Sequence, residues 1–354
     1  MSPRVPFSHR VHASKGNYPL DVCTDVCYPY GMSKVDRNNP KRSTASEARC
    51  TRFEWDAMFP NDAACLDYLM HRLYPDGIFC PKCRRVTKHH KDKDRPSWQC
   101  QFCGHREHPM VGTIFQDSAT SLKLWFDAIY LMASTRCGIS AKQLEREVGV
   151  TYKTAWRMFN KIRSKLDQGE DVFSGTVEMD EAYFGGKDKW KHESKRPHVG
   201  RGPVTKTTVF GMAQRGRKDA KGKPVAHGKV SVKVADGSRA ADLLPHAKAK
   251  VLPASTVYTD EFKSYNALEG MGYTHDRVNH EQRVYVSGDV HTNTIEGFWA
   301  TVKRGIGGTY HSVSTRHLQS YLDEYAFRYN NRDATGLGMV GAFLDRIVAK
   351  APAE

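Results

Sequence analysis

Apolar positions set the first outline of the chain. After the start signal Pro60-Asn61-Asp62, residues Ala64, Leu66, Leu69, Met70 and Leu73 recur at helical spacing until Pro75-Asp76-Gly77 turns the chain. Leu122, Trp125, Ile129 and Met132 fall on one face of a helix over 121–132. A second helix is expected from Ser140 to Val148, broken by Gly149-Val150, and a third from the N-cap Thr151 to about Leu166, with Phe159, Ile162 and Leu166 inward. Beyond 170 the pattern changes to strands. Val172, Phe173, Val177 and Met179 give a strand closed by Gly185-Gly186, with Asp180 at or near its end. Thr207 to Ala213, Lys229 to Ala235 and Ser255 to Thr259 read as further strands, and 240–250 as a helix before the last of them. This is a mixed α/β layout. From Asn293 a helix turns Ile295, Phe298, Trp299 and Val302 to the core and Asn293, Glu296, Ala300 and Lys303 to the other side. A Gly-rich basic turn over 305–311, a helix over 317–331 and a short terminal helix of modest apolar content complete the reading.

The chain has 354 residues, enough for two or three folded units. Residues 1–55, with Pro3, Pro6, Pro19, Pro29 and Pro40 and little periodicity, are expected to be a poorly ordered extension. A helix plus a cysteine-rich module over 56–110, a linker over 111–118, a helical unit over 118–168, an α/β domain over 172–332 and a terminal helix or tail over 333–354 follow. Lys and Arg number 54 against 39 acids, a formal charge of +15. That excess favours a polyanion partner. No apolar run is long enough for a spanning helix and the N-terminus lacks a signal-like segment, so the expected partner is nucleic acid and the expected place the cytoplasm, at the nucleoid. Residues 187–206, with seven basic side chains and two acids, read as a mobile basic loop.

Nine cysteines suit metal ligation better than disulfides, because four form two tight pairs. Cys80-Pro-Lys-Cys83 and Cys100-Gln-Phe-Cys103, sixteen residues apart, can offer four thiolates to one tetrahedral Zn²⁺. Lys82, Arg84, Arg85, Lys88, Lys91, Lys93 and Arg95, with Trp98 and Phe102, make a basic, aromatic surface suited to DNA. Cys23, Cys27 and Cys50 lack an obvious fourth ligand, and chance is the better account of their spacing. Helix, Gly-containing turn, helix over 140–166 outlines a helix-turn-helix, and Lys153, Arg157 and Lys161, four apart, form a basic stripe that favours DNA binding.

Asp180 and Asp260, each expected to close a strand, and Glu296 on a helix are the ligand types that a pair of Mg²⁺ ions about 3.5 to 4 Å apart requires for in-line displacement at a phosphodiester. Glu181, beside Asp180, is the neighbour that a one-residue register error would substitute for it.

The strings Met-Asp-Glu-Ala-Tyr-Phe-Gly-Gly-Lys from Met179, Tyr-Thr-Asp-Glu-Phe-Lys-Ser-Tyr from Tyr258 and His-Thr-Asn-Thr-Ile-Glu-Gly-Phe-Trp-Ala-Thr-Val-Lys-Arg-Gly-Ile from His291, followed by Tyr-Leu-Asp-Glu-Tyr-Ala-Phe-Arg-Tyr-Asn, resemble the zinc-ribbon DDE transposases of bacterial insertion sequences, the ISXO2-like group. The resemblance covers about 59–332. It implies a zinc ribbon, a five-stranded RNase H-like catalytic domain, and Mg²⁺ or Mn²⁺ held by Asp180, Asp260 and a third ligand, Glu296 or Asn293. Glu296 is preferred because a carboxylate binds a hard cation better than an amide oxygen. Lys303 and Arg304 on the same helix would meet DNA. The implied activity is hydrolysis at element ends and strand transfer into target DNA by a homo-oligomer. The rival readings are a non-catalytic DNA-binding regulator and a metal nuclease that cuts without joining.

Overall fold

The computed structural model describes residues 50–354 apart from 170, 187–191, 193–205, 220, 222–223, 261, 279–289, 335–336 and 350–354. Most of the expected basic loop at 187–206, and Cys23 and Cys27, lie outside the described residues.

Helix α1 (Arg52–Met58) begins inside the segment expected to be poorly ordered. Thr51 and Glu54 form its capping box, and Trp55 is fully buried. Helix α2 (Asp62–Leu73) starts at the Asn61 cap, as its sequence predicts. The cysteine module follows as two small antiparallel sheets, β1 (Ile78–Cys80) with β2 (Arg85–Thr87), and β3 (His89–Lys91), β4 (Trp98–Cys100) and β5 (Arg106–Glu107). Ile78 and Trp98 enter a core shared with α1, α2, α3 (Leu122–Ser134), α4 (Ala141–Val148), α5 (Tyr152–Arg163) and, from the far end of the chain, α9 (Gly338–Val348). Trp98 is therefore packing rather than surface, with the Lys91 ammonium 5.5 Å over its ring. The expected linker is packed too, since Ile114 and Phe115 are buried. So is the terminal helix, which adds Val340, Phe343, Leu344 and Ile347.

Residues 176–277 build one five-stranded sheet. Its strands are β6 (Thr176–Phe184), β7 (Thr207–Gln214), β10 (Lys229–Ala235), β11 (Thr256–Thr259) and β12 (Thr274–Arg277), in spatial order β10-β7-β6-β11-β12. β8 (Arg217–Lys218) and β9 (Pro224–Ala226) form a small ribbon on the β7-to-β10 connection. The first three strands pair antiparallel; the α6 (Ala240–Lys250) crossover then brings β11 parallel to β6, and β12 pairs parallel to β11 after the connection over 260–273. β12, a polar strand with one buried side chain, has no apolar pattern to announce it. Alternation sorts β6 cleanly. Val177 and Met179 face a core with Leu243 and Leu244 of α6, whereas Ala182 and Phe184 face a core with α7 (Asn293–Gly305) and α8 (Thr315–Asn330). The expected turn after α7 is instead a π-helical turn, Ile306–Tyr310, which continues directly from it.

Candidate active site

The same period of two puts Glu178 and Asp180 on the α7 side of β6 and Glu181 on the α6 side. Asp180 is not at the end of its strand. β6 continues to Phe184, paired with β7 as far as Thr207. What stops near Asp180 is the parallel neighbour: β11 pairs Thr256 with Thr176, Val257 with Val177 and Tyr258 with Glu178, then ends at Thr259. Continuing that register two residues brings Asp260 alongside Asp180. Carboxylate oxygens of Asp180, Glu181 and Asp260 all lie within 4.8 Å of one another. Phe262 N–H donates to Asp260 Oδ1 at 3.0 Å and holds its carboxylate in the turn.

The electrostatics fit a site that expects a cation. Burial first, then the Asp260 and Glu296 charges, raise Asp180 to about 6, against the pull of a Glu181 backbone contact and the Lys303 ammonium. Burial, with Asp260 and Asp180, pushes Glu181 up to about 8, while the interaction with the Tyr265 hydroxyl pulls it down. Tyr265 is itself fully buried, in ring contact with Phe210 and Phe262. Asp180 and Glu181, buried beside the Asp260 carboxylate, hold their protons more tightly than free acids and release them more readily when positive charge arrives.

Helix α7 brings the remaining expected residues to this side. Ile295, Phe298, Trp299 and Val302 are buried, and Asn293, Glu296, Ala300, Lys303 and Arg304 are exposed, as the pattern predicts. The helix lies close to the sheet because Gly211, opposite Asp180 on β7, has no side chain. A Cβ there would stand 2.3 Å from Trp299 Cζ2. Glu296 Oε1 accepts a 2.8 Å hydrogen bond from Thr292 Oγ1. Glu296 is outside the 4.8 Å cluster, which Glu181 completes instead.

The four expected thiols also converge. Cys80 Sγ lies 3.4 Å from Cys103 Sγ, and Cys83 Sγ 3.9 Å from Cys100 Sγ. Four sulfurs about 2.3 Å from one tetrahedral ion would be about 3.8 Å apart, so this donor set fits a zinc ion.

Residues 172–330 match the model of the ISXO2-like transposase domain, and residues 60–106 that of the transposase zinc-ribbon domain. The chain is 30% identical over 282 residues to an uncharacterized protein in transposable element ISH50 of Halobacterium salinarum, across 76% of this chain and 91% of that one. It belongs to the ISXO2-like transposase family. An uncharacterized transposase-like protein of Haemophilus influenzae is 34% identical over 105 residues, 30% of this transposase and 84% of that protein. Among solved structures, a pre-cleavage Mos1 transpososome is similar over 65% of this chain and 79% of that one at 9% identity. Its TM-score is 0.21.

Elsewhere in the transposase the basic stripe on α5 is only partly free. Lys153 is exposed, but Arg157 Nη2 reaches Thr120 Oγ1 at 3.4 Å and Lys161 Nζ donates to Ile114 O at 3.2 Å. Gly149, at φ 71°, makes the left-handed turn before α5, and Thr151 caps the helix. On the ribbon, Phe102 is exposed beneath the Arg85 guanidinium, 5.0 Å from its centroid. Among the described residues no helix is long and apolar enough to cross a membrane. Sequence reasoning missed Glu178, fully buried, which accepts from the Thr294 and Ile295 amides at the start of α7. A glutamate flanked by the apolar Val177 and Met179 was its only signal.

Proposed function

We propose that this transposase cuts the ends of its insertion sequence and joins the freed 3′-hydroxyl to target DNA. Asp180 and Asp260 would hold divalent metal, Mg²⁺ or Mn²⁺, with Glu296 as third ligand. The observation that carries this is the meeting of Asp180 and Asp260 through the parallel β6–β11 register, with the charges of Glu296 and Lys303 both felt at Asp180. Bound cations would supply the charge that activates the attacking oxygen and relieves the leaving one. The chain's part is to fix the carboxylates on a rigid strand and helix and to present Lys303 and Arg304 to the DNA backbone. A five-stranded mixed sheet with a helical crossover supports an RNase H-like catalytic domain. The Cys80, Cys83, Cys100 and Cys103 set would hold structural Zn²⁺. Helices α4 and α5 would bind element ends as a helix-turn-helix, Lys153 foremost, in a homo-oligomer at the nucleoid.

Supercoiled plasmid carrying the element ends, incubated with Mg²⁺, tests the reading. Nicked or linear DNA followed by joined product is expected. No cutting would leave a DNA-binding regulator, and cutting without joining a nuclease. A second assignment has one specific observation behind it: Glu181, not Glu296, completes the three-carboxylate cluster. Glu296→Gln, Asn293→Ala and Glu181→Gln, compared across a Mg²⁺ titration of cleavage, assign the third ligand.

A further inference from the structure

Helix α7 is capped from outside itself. Its N-cap residue, Thr292, is buried but makes no side-chain cap, and its hydroxyl donates to Glu296 Oε1 at 2.8 Å. The task that an N-cap side chain usually performs falls to Glu178, on the strand that carries Asp180. Glu178 Oε2 accepts from Thr294 N–H at 2.8 Å and from Ile295 N–H at 3.0 Å, and Oε1 accepts from Thr294 Oγ1 at 2.8 Å. Arg215, just past β7, fixes that carboxylate. Its Nε is 2.7 Å from Glu178 Oε1, its Nη2 donates to His291 O at 2.8 Å, and its guanidinium stands 4.8 Å from the centre of the Tyr258 ring on β11. One buried carboxylate and its arginine thus tie β6, the residue after β7, and β11 to the first turn of α7.

We propose that Glu178 and Thr292 are positioning residues for the metal site. Glu178 locks the first turn of α7 against the strand two residues from Asp180, which releases Thr292 from capping. Thr292 then holds one oxygen of Glu296 and leaves the other for the cation. The inference rests on Glu296 being the third ligand. Groups that orient a metal ligand typically change metal affinity by about 10- to 100-fold when removed.

The test uses the full-length protein and Mg²⁺ alone as the titrant, reading the Mg²⁺ concentration at half-maximal end cleavage. Thr292→Val keeps the β-branched shape and loses the hydroxyl. It should raise that concentration by about 10- to 100-fold while metal-free binding to element ends is unchanged. Thr292→Ser should restore the wild-type titration, which a merely structural role for the residue would not require. Glu178→Gln should shift the titration in the same direction, and a thermal melt establishes that it is folded. If Glu178→Gln does not fold, Thr292→Val against Thr292→Ser decides. Wild-type Mg²⁺ dependence in folded Thr292→Val and Glu178→Gln, with Glu296→Gln inactive, overturns the inference and leaves the third-ligand reading standing. A fully active Glu296→Gln overturns that reading itself.

Discussion

Arg163, at the end of α5, places Nε 2.8 Å from Glu324 Oε2 on α8, and both side chains are shut off from water. Arg328 adds a 2.7 Å contact to Oε1 of the same glutamate, and the Arg163 guanidinium lies 3.9 Å from the centre of the Tyr321 ring. The helix proposed to read DNA is therefore anchored to the helix that backs α7. Removing Glu324 would strand two buried cations, so Glu324→Ala should cost about 3–5 kcal/mol of stability by urea denaturation. Burial alone would raise Glu324, but the Arg163 and Arg328 charges hold it below its ordinary 4.5. A folded pKa below the unfolded one gives stability that is complete above about pH 4.5 and lost as pH falls through the folded value. Glu324→Gln should lack that part of the acid transition.

The crowded acids titrate with the opposite sign. Asp180 at about 6 and Glu181 at about 8 bind protons more tightly in the folded protein than at their ordinary 3.8 and 4.5. Metal-free protein should lose stability as pH rises from the ordinary values through about 6 and about 8, then level off. Cation binding needs the deprotonated acids, so the rise in melting temperature from added Mg²⁺ should be largest at the upper end of that range. Asp180→Asn with Glu181→Gln should flatten the slope. An unchanged slope in that double variant would place the titrating groups elsewhere.

Asp180→Asn or Asp260→Asn should abolish cleavage and spare end binding, because each removes charge without volume. Gel-shift and plasmid cleavage assays on the same preparations check both halves.

Gly211→Ala puts a methyl against Trp299 and Ile295, displacing α7 and the acid it carries. Cleavage should fall far more than binding to element ends, and the variant should lose roughly 1–3 kcal/mol of stability by overpacking. Wild-type cleavage in Gly211→Ala would show that the seating of α7 is not needed.

Cys83→Ser should release one zinc per chain, measured by elemental analysis, and loosen residues 76–108. Because Ile78 and Trp98 pack into the helical core, the loss should also lower the melting temperature of the protein. On α5, Lys153→Ala should weaken end binding by about 1–3 kcal/mol if it reads a base. A uniform weakening across sequences, with a salt slope smaller by about one, would make Lys153 a phosphate contact.

Local patterns in the chain determined much of this transposase. Two Cys-x-x-Cys pairs defined the thiol cluster, because the ligands lie close in sequence. Helical periodicity put Glu296 and Lys303 on the open face of α7, and Gly149 and Thr151 marked where α4 ends and α5 begins. Only the tertiary structure decided what long-range pairing brings together. Asp180 and Asp260 are 80 residues apart on parallel strands, and no hairpin turn exists to announce their register. Glu181 joined the cluster because β11 ends where it does, placing Asp260 within reach of both faces of β6. The burial of α9, and of Glu178 under α7, likewise depends on surfaces supplied by distant segments. An apolar stripe or an acid between apolar strand residues shows that a partner is needed, but the partner is chosen by packing.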